Sequence, residues 1–218
     1  MRSGQNPERP VILLGAGGHA KVLLSTLLQN GSHVIGFVQP DPSRRELLGV
    51  PYLGGDEAVL AHHPVEVLLV NGVGSVGAIS NRLRVYEYFR TRGYAFASVI
   101  HSSAILAAEG ELSDGVQIMA GAILQTGFAV GEDCIINTGA RVDHDCLIKA
   151  HAHVAPGAVL SGGVQLGLRA HVGAGATVIQ GVKIGDDAIV GAGALVLKDV
   201  PASSTVVGVP ARLMPVKA

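Results

Sequence analysis

RVDHDCLIKAHAHVAPGAVLSGGVQLGLRAHVGAGATVIQGVKIGDDAIVGAGALV (141–196) places an aliphatic residue at every sixth position, from Val142 and Ile148 to Val190 and Val196. Followed backward, the same step meets Ile136, Val130, Leu124, Ile118, Leu112, Leu106 and Ile100, so seventeen successive positions are Ile, Leu or Val. Those three types make up 65 of 218 residues. Seventeen hits in one of six phases would arise by chance with odds on the order of 10⁻⁸. Two positions before each aliphatic residue the side chain is small, as at Ala122, Ala140, Ala158 and Ala176, and Phe128 is the exception.

A beat of six matches neither the 3.6 of a helix face nor the 2 of an alternating strand. It fits a short strand followed by a corner, with one aliphatic residue aimed inward on each face. Three such faces, three hexads in all, close one coil, and the stack would stand roughly 27 Å tall at the ordinary spacing between strands. Small residues are then needed where three faces crowd one axis. Seven of the eight Phe and Tyr residues lie before residue 97 and only Phe128 lies after it, as such an axis requires. The second half of the chain is expected to be a parallel β-helix of hexapeptide repeats.

The first half has a different rhythm. VILLGAG (11–17), SHVIGFVQP (32–40) and VEVLLVNG (65–72) read as buried strands, and YAFASVI (94–100) as a strand leading into the repeats. HAKVLLSTLLQNG (19–31) and AISNRLRVYEYFRTRG (78–93) read as helices. Alternating strands and helices indicate a small parallel sheet, a Rossmann-like α/β half-domain. The expected division is 1–97 for the α/β domain and 98–218 for the repeats with a C-terminal tail. Gly15-Ala16-Gly17-Gly18-His19-Ala20 satisfies G-x-G-x-x-G/A between strand and helix. Glycines there let backbone approach a phosphate at the helix N-terminus. One half-sheet suits a nucleotide diphosphate better than a dinucleotide.

Composition narrows the class further. Sixteen Lys and Arg against seventeen Asp and Glu give a net charge of -1, too balanced for a nucleic-acid binder held by electrostatics. The longest apolar run, AIVGAGALVL (188–197), is far short of a membrane span. No signal-peptide pattern opens the chain. The two cysteines, Cys134 and Cys146, support neither a disulfide framework nor a zinc finger and read as small buried hydrophobes. With charged residues at only 15%, some surface is expected to be hidden between subunits.

GAGGHAK, GFVQPDP, GVPYLGGDE, the repeats containing DHDC (143–146), and VVGVPARLM (206–214) together resemble the PglD-like, or sialic-acid-O-acetyltransferase-like, family of sugar acyltransferases. The resemblance covers nearly the whole chain. It implies a left-handed coil, acetyl-CoA as co-substrate, no metal, and a cytoplasmic homotrimer with shared active sites. The implied reaction is N-acetylation of a UDP- or GDP-linked amino-deoxy-sugar that feeds glycan assembly. Alternatives are O-acetylation of sialic acid, a β-helix zinc hydratase, or a non-enzymatic β-helix module. One departure stands out: Gln39 and Pro40 precede a single Asp41 where the family usually shows paired acids.

By the same resemblance His144 is the catalytic base and Asp145 its orienting acid, with Asp143 the poorer partner. A thioester is already activated, so transfer needs a positioned base near neutral pKa and a held substrate. His153 is expected to contact substrate and the acetyl group, and His171, one coil further, to be bystander. Gly15, Gly17, Gly18, His19 and Asp41 would hold the nucleotide sugar. Gly162, Gly173 and Gly191 would leave backbone open to pantetheine, with Gly208, Pro210 and Arg212 covering its far end. Arg44, Arg45 and Arg82 read as solvent-facing, with Arg82 placed where it could meet phosphate.

Overall fold

The computed structural model describes residues 9–75 and 79–214. The chain forms two compact units that divide between Ser102 and Ser103.

In the first unit, β1 (Val11–Leu14), β2 (Val34–Val38), β4 (Val50–Gly54) and β5 (Leu68–Asn71) pair in parallel in the order β4-β2-β1-β5. β3 (Glu46–Leu47) adds an antiparallel edge to β4. This hairpin had no strand signal, because its strands are short, mixed in exposure and non-alternating. Helices α1 (Gly18–Gln29), α2 (Asp56–Val59) and α3 (Ile79–Arg90) intervene; Ala78, the first residue of the expected second helix, lies outside the described residues. The stretch 94–100 is not one strand. Phe96 makes an isolated bridge to Leu69, and Val99–Ile100 forms a separate short strand. All four residues of β1 are buried, and the core beneath is closed by Tyr86, Phe89, Tyr94 and Phe96. Phe89 meets Tyr94 edge-on at 5.7 Å, an arrangement that aromatic quadrupoles favour.

In the second unit every expected inward residue from Ile118 to Val196 is buried, none more than 2% exposed. Each two-residue strand pairs in parallel with the strand one coil on: Ile123 with Arg141 and Arg141 with Val159, Ala129 with Leu147 and Leu147 with Gln165, Ile135 with His153 and His153 with His171. Three sheets result, one per face. The pairing then shortens, Ile189 facing Thr205 and Val190 facing Val206, which is why the six-residue beat stops at Val196. An antiparallel return of Arg212–Leu213 along Val206–Val207 finishes the coil.

Corners recur with equal regularity. Fourteen positions six apart, from Gly115 to Gly193, have positive φ, and nine of them are glycine. The others are Asp133, Asp145, His151, Arg169 and Asp187. Phe128 explains itself one coil away. Its ring occupies the space a side chain on Gly110 would need, so one large inward residue is matched by none below it. Cys134 and Cys146 are buried, as their sequence setting implies, and their thiols donate to the carbonyls of Lys149 and Ser161.

Candidate active site

Val142 points into the coil, Asp145 takes the left-handed corner at φ 58°, and His144 between them is turned outward. The Asp143 carboxylate accepts the His144 backbone N–H at 2.7 Å. Asp145, not Asp143, reaches the ring: His144 Nδ1 lies 2.8 Å from Asp145 Oδ2. A carboxylate at Nδ1 keeps the proton on that nitrogen and leaves the Nε2 lone pair free, the arrangement of a general base. The hydrogen bond to Asp145 raises the histidine pKa above its ordinary value, and the charges of Asp143 and Asp145 add to that, against a smaller opposing effect of desolvation. The side chains of His144 and Asp145 are 58% and 71% exposed. Within one chain the pair has no walls.

His153 stands on a different face from the two that flank the His144 corner. It is 4% exposed, with Nε2 3.1 Å from Asn137 Nδ2. Asn137 had no repeat or motif signal; the pairing of its strand with the one a coil further on is what brings it to this histidine. His171 packs against the His153 ring edge-on at 4.9 Å. The His171 Nδ1 is buried without a hydrogen-bond partner, and burial lowers this residue's pKa.

The three repeat glycines expected to open backbone to pantetheine have a different explanation. A Cβ on Gly173 would meet Ala192 N at 2.5 Å, and one on Gly191 would meet Val207 Cγ1 at 2.7 Å. At Gly162 the space is filled by the His144 ring. Close stacking of coils accounts for the missing side chains at Gly173 and Gly191, and the His144 ring for the one at Gly162. The tail loop is tied to the last coil, with Leu195 N donating to Gly208 O and Ala211 N to Leu195 O. Val209-Pro210 is a cis bond, Val209 is 72% exposed, and Arg212 is exposed.

In the first unit Gly15 turns the chain at φ 93° and donates its N–H to Val38 O. Gly17 caps α1 without any side-chain bond, and nothing lies within 4 Å of where a Cβ on Gly17 or Gly18 would stand. The turn at Gly17-Gly18 is thus bare backbone with open space beside it. Gly72 lies outside the glycine motif but is as constrained as the turn itself. A Cβ there would meet Leu14 O at 2.6 Å and Ala20 Cβ at 2.8 Å, so only glycine lets the end of β5 pass beneath α1. Asp41 is engaged by its own loop, accepting from Ser43 N–H at 2.9 Å and Ser43 O–H at 2.8 Å. Those bonds lower its pKa. Arg44 does not merely face solvent: its Nη1 donates to the Ala16 carbonyl at 3.0 Å, bringing a cation to the glycine turn. Arg82 is 2% exposed and donates to Asn71 O and Val73 O. Its sequence setting on a polar helix hid that role, which is to hold the chain leaving β5. Among the described residues no group of three or more His, Cys, Asp or Glu side chains is placed to hold a metal ion. No helix among them is long and apolar enough to cross a membrane.

These two constructions have matching family models. Residues 10–89 match the PglD N-terminal domain, and residues 163–198 match the hexapeptide repeat of succinyl-transferase. Among solved structures, the chain is similar to PerB from Caulobacter crescentus in complex with CoA and GDP-perosamine. Identity is 39%, coverage is 94% of this chain and 97% of that one, and the TM-score is 0.88. It is also similar to the acetyltransferase domain of PglB from Neisseria gonorrhoeae in complex with acetyl coenzyme A, at 31% identity, 95% and 100% coverage and TM-score 0.87. A third similar structure is WeeI from Acinetobacter baumannii, at 25% identity, 94% and 100% coverage and TM-score 0.86. No curated protein sequence matches the chain. The chain belongs to the PglD-like family of hexapeptide-repeat sugar acetyltransferases. It is an acyltransferase, and its coil is the left-handed parallel β-helix of that family.

Proposed function

We propose that the protein transfers the acetyl group of acetyl-CoA to the amine of a GDP-linked amino-deoxy-sugar, with His144 as general base. The observation that carries this reading is the His144–Asp145 pair, one ring nitrogen bonded and the other free, on a coil similar to one that holds CoA and GDP-perosamine. Two structures of variants of the Caulobacter enzyme, in which a histidine is replaced by Asn or Ala, also hold both ligands. The GDP-perosamine held by that enzyme, at 39% identity, supports a guanosine-linked substrate.

The chemistry balances without a covalent enzyme intermediate. The amine lone pair adds to the thioester carbonyl, and His144 Nε2 takes a proton from the attacking nitrogen. Collapse breaks the C–S bond, and the imidazolium returns the proton to the departing thiolate. Asp145 holds the ring and stabilises its charged form throughout. His153 serves as a contact to the acyl group or sugar. The glycine turn, with Gly15, Gly17, Gly18 and His19, receives the diphosphate on backbone N–H groups, as helix N-termini do. Arg212 and the Gly208-Pro210 loop serve the far end of CoA.

A homotrimer accompanies this reading, because the exposed His144 pair needs a neighbouring chain to wall it. The cytoplasm, which supplies both acetyl-CoA and nucleotide sugars, is the compartment in which the reaction would feed glycan assembly. The test incubates the protein with acetyl-CoA and, separately, free sialic acid and a panel of GDP-, UDP- and dTDP-linked amino sugars, and follows thiol release and product mass. A gain of one acetyl group on a GDP-linked amine is expected. Acetylation of free sialic acid in place of every nucleotide sugar would overturn the reading.

A further inference from the structure

We infer that Gly162 is a positioning residue for the general base: its bare backbone is the surface on which the His144 imidazole rests, and it sets where Nε2 stands. This rests on the reading of His144 as base and adds to it what holds the ring.

The backbone gives no reason for glycine at 162. It is not among the positive-φ residues. It occupies the position just before a corner, and fourteen such positions recur at every sixth place from Asp114 to Ala192. Glycine occurs at only this one, while the others include Thr126, Pro156, Leu168 and Gln180. The position therefore accepts almost any side chain. What differs at 162 is its neighbour one coil below. A Cβ there would collide with His144 Nε2, and would stand 2.5 Å from Cε1 and 3.1 Å from Cδ2.

The backbone cannot yield, so the exposed ring must. The backbones are locked in register by Gly163 N–H donating to His144 O at 2.8 Å. The ring is held from its other nitrogen by Asp145 at 2.8 Å. Asp145 is seated the same way, its carboxylate filling the space that a Cβ on Gly127 would take, one coil further down. The catalytic pair is thus laid across two bare steps, 127 and 162, each one coil away from its occupant. A methyl group at 162 has one outlet, which is to rotate the imidazole away and break its bond to Asp145.

Gly162→Ala is the informative substitution, since its φ is ordinary, whereas any side chain at Gly127 is strained by a φ of +73°. Turnover should fall about 10²-fold, the usual cost of a displacement near 1 Å at a reacting group, with the acetyl-CoA KM within twofold of wild type. The charged groups facing the ring are Asp143 and Asp145. Losing the Asp145 bond should move the acid limb of the kcat–pH profile downward, toward ordinary histidine. An NMR titration of the His144 ring supplies a readout independent of activity: its pKa should fall toward the ordinary histidine value in Gly162→Ala, where the Asp145 bond that raises it is lost. An unmoved His144 titration, with kcat and its acid limb also unmoved, would overturn the inference. So would a raised acetyl-CoA KM with full kcat, which would make the glycine a cofactor contact. If His144→Ala itself kept full turnover, the base assignment would fail, while the NMR titration would still report whether the ring rests on Gly162.

Discussion

At the residue scale, His144 combines two properties: one nitrogen bonded to a carboxylate and a side chain 58% exposed. Because it points away from the core, His144→Ala should leave Tm and acetyl-CoA affinity nearly unchanged and lower kcat by about 10²–10⁴-fold, the range for losing a positioned base. Only the neutral ring can take a proton, so the wild-type rate should rise with pH through the His144 pKa. The bond to Asp145 holds that pKa above the ordinary value. Asp145→Asn removes the main cause, so its kcat profile should rise at lower pH and reach a reduced plateau. An unmoved acid limb in Asp145→Asn would assign the titration to another group. His171 has the opposite sign. Burial lowers its pKa, so near pH 6 the unfolded chain binds its proton more readily than the folded one, and stability is lost as pH falls. Replacing it, as in His171→Leu, should flatten the fall in Tm between pH 7 and 5.5, measured by calorimetry. The residue types at 144 and 145 were legible through the DHDC motif. The seats at Gly127 and Gly162 were not, because residues a full coil apart in sequence become neighbours only once the coil closes.

At the element scale, the hexad was readable because its inward residue can be only aliphatic, and each of those positions from Ile118 to Val196 is buried. The corner was the unread part of the same repeat. Its left-handed φ selects glycine, yet five of fourteen corners carry other residues, which blurs the pattern. Four of the five form a single column, Asp133, His151, Arg169 and Asp187, each one coil from the next. They pair within it: His151 Nδ1 with Asp133 Oδ2 at 3.2 Å, and Arg169 with both oxygens of Asp187 at 2.6 and 2.7 Å. The Arg169–Asp187 pair is part-exposed, at 31% and 43%, and such pairs contribute about 0–1 kcal/mol. The left-handed conformation costs a non-glycine residue roughly 1–2 kcal/mol. The two effects nearly cancel. Asp187→Gly should therefore leave unfolding stability within about 0.5 kcal/mol of wild type, whereas Asp187→Ala keeps the strain, loses the pair and should cost about 1 kcal/mol. Equal losses for Gly and Ala in denaturant unfolding would show that the pair outweighs the strain. In the first unit the alternation of strands and helices was plain, but the β3–β4 edge was not, since its short strands of mixed exposure carry no hydrophobic period.

At the scale of the whole molecule, one face of the coil presents outward Ile105, Ile123, Arg141, Val159, Thr177 and Leu195, one residue from each of six stacked strands. Ile105 is 63% exposed. Along this face a shallow groove is lined by Ile123, Gln125, Arg141, Val159 and Ser161 with Asp143, beside the His144 corner. His153 stands on another face, so one chain does not bring the two histidines into a single enclosure. Three copies around an axis would lay this apolar face against a neighbour and wall the exposed pair, with each copy contributing to its neighbour's site. We propose that activity depends on this assembly, and Ile105→Lys tests it because the residue is exposed and lies two coils below Arg141 on the same face. Light scattering at micromolar concentration should find the wild type as a trimer and the variant shifted toward monomer, with its circular dichroism unchanged. Specific activity of the variant should fall in proportion to the monomer fraction and recover as protein concentration rises. A monomeric Ile105→Lys with full turnover at every concentration would show that a single chain builds the whole site.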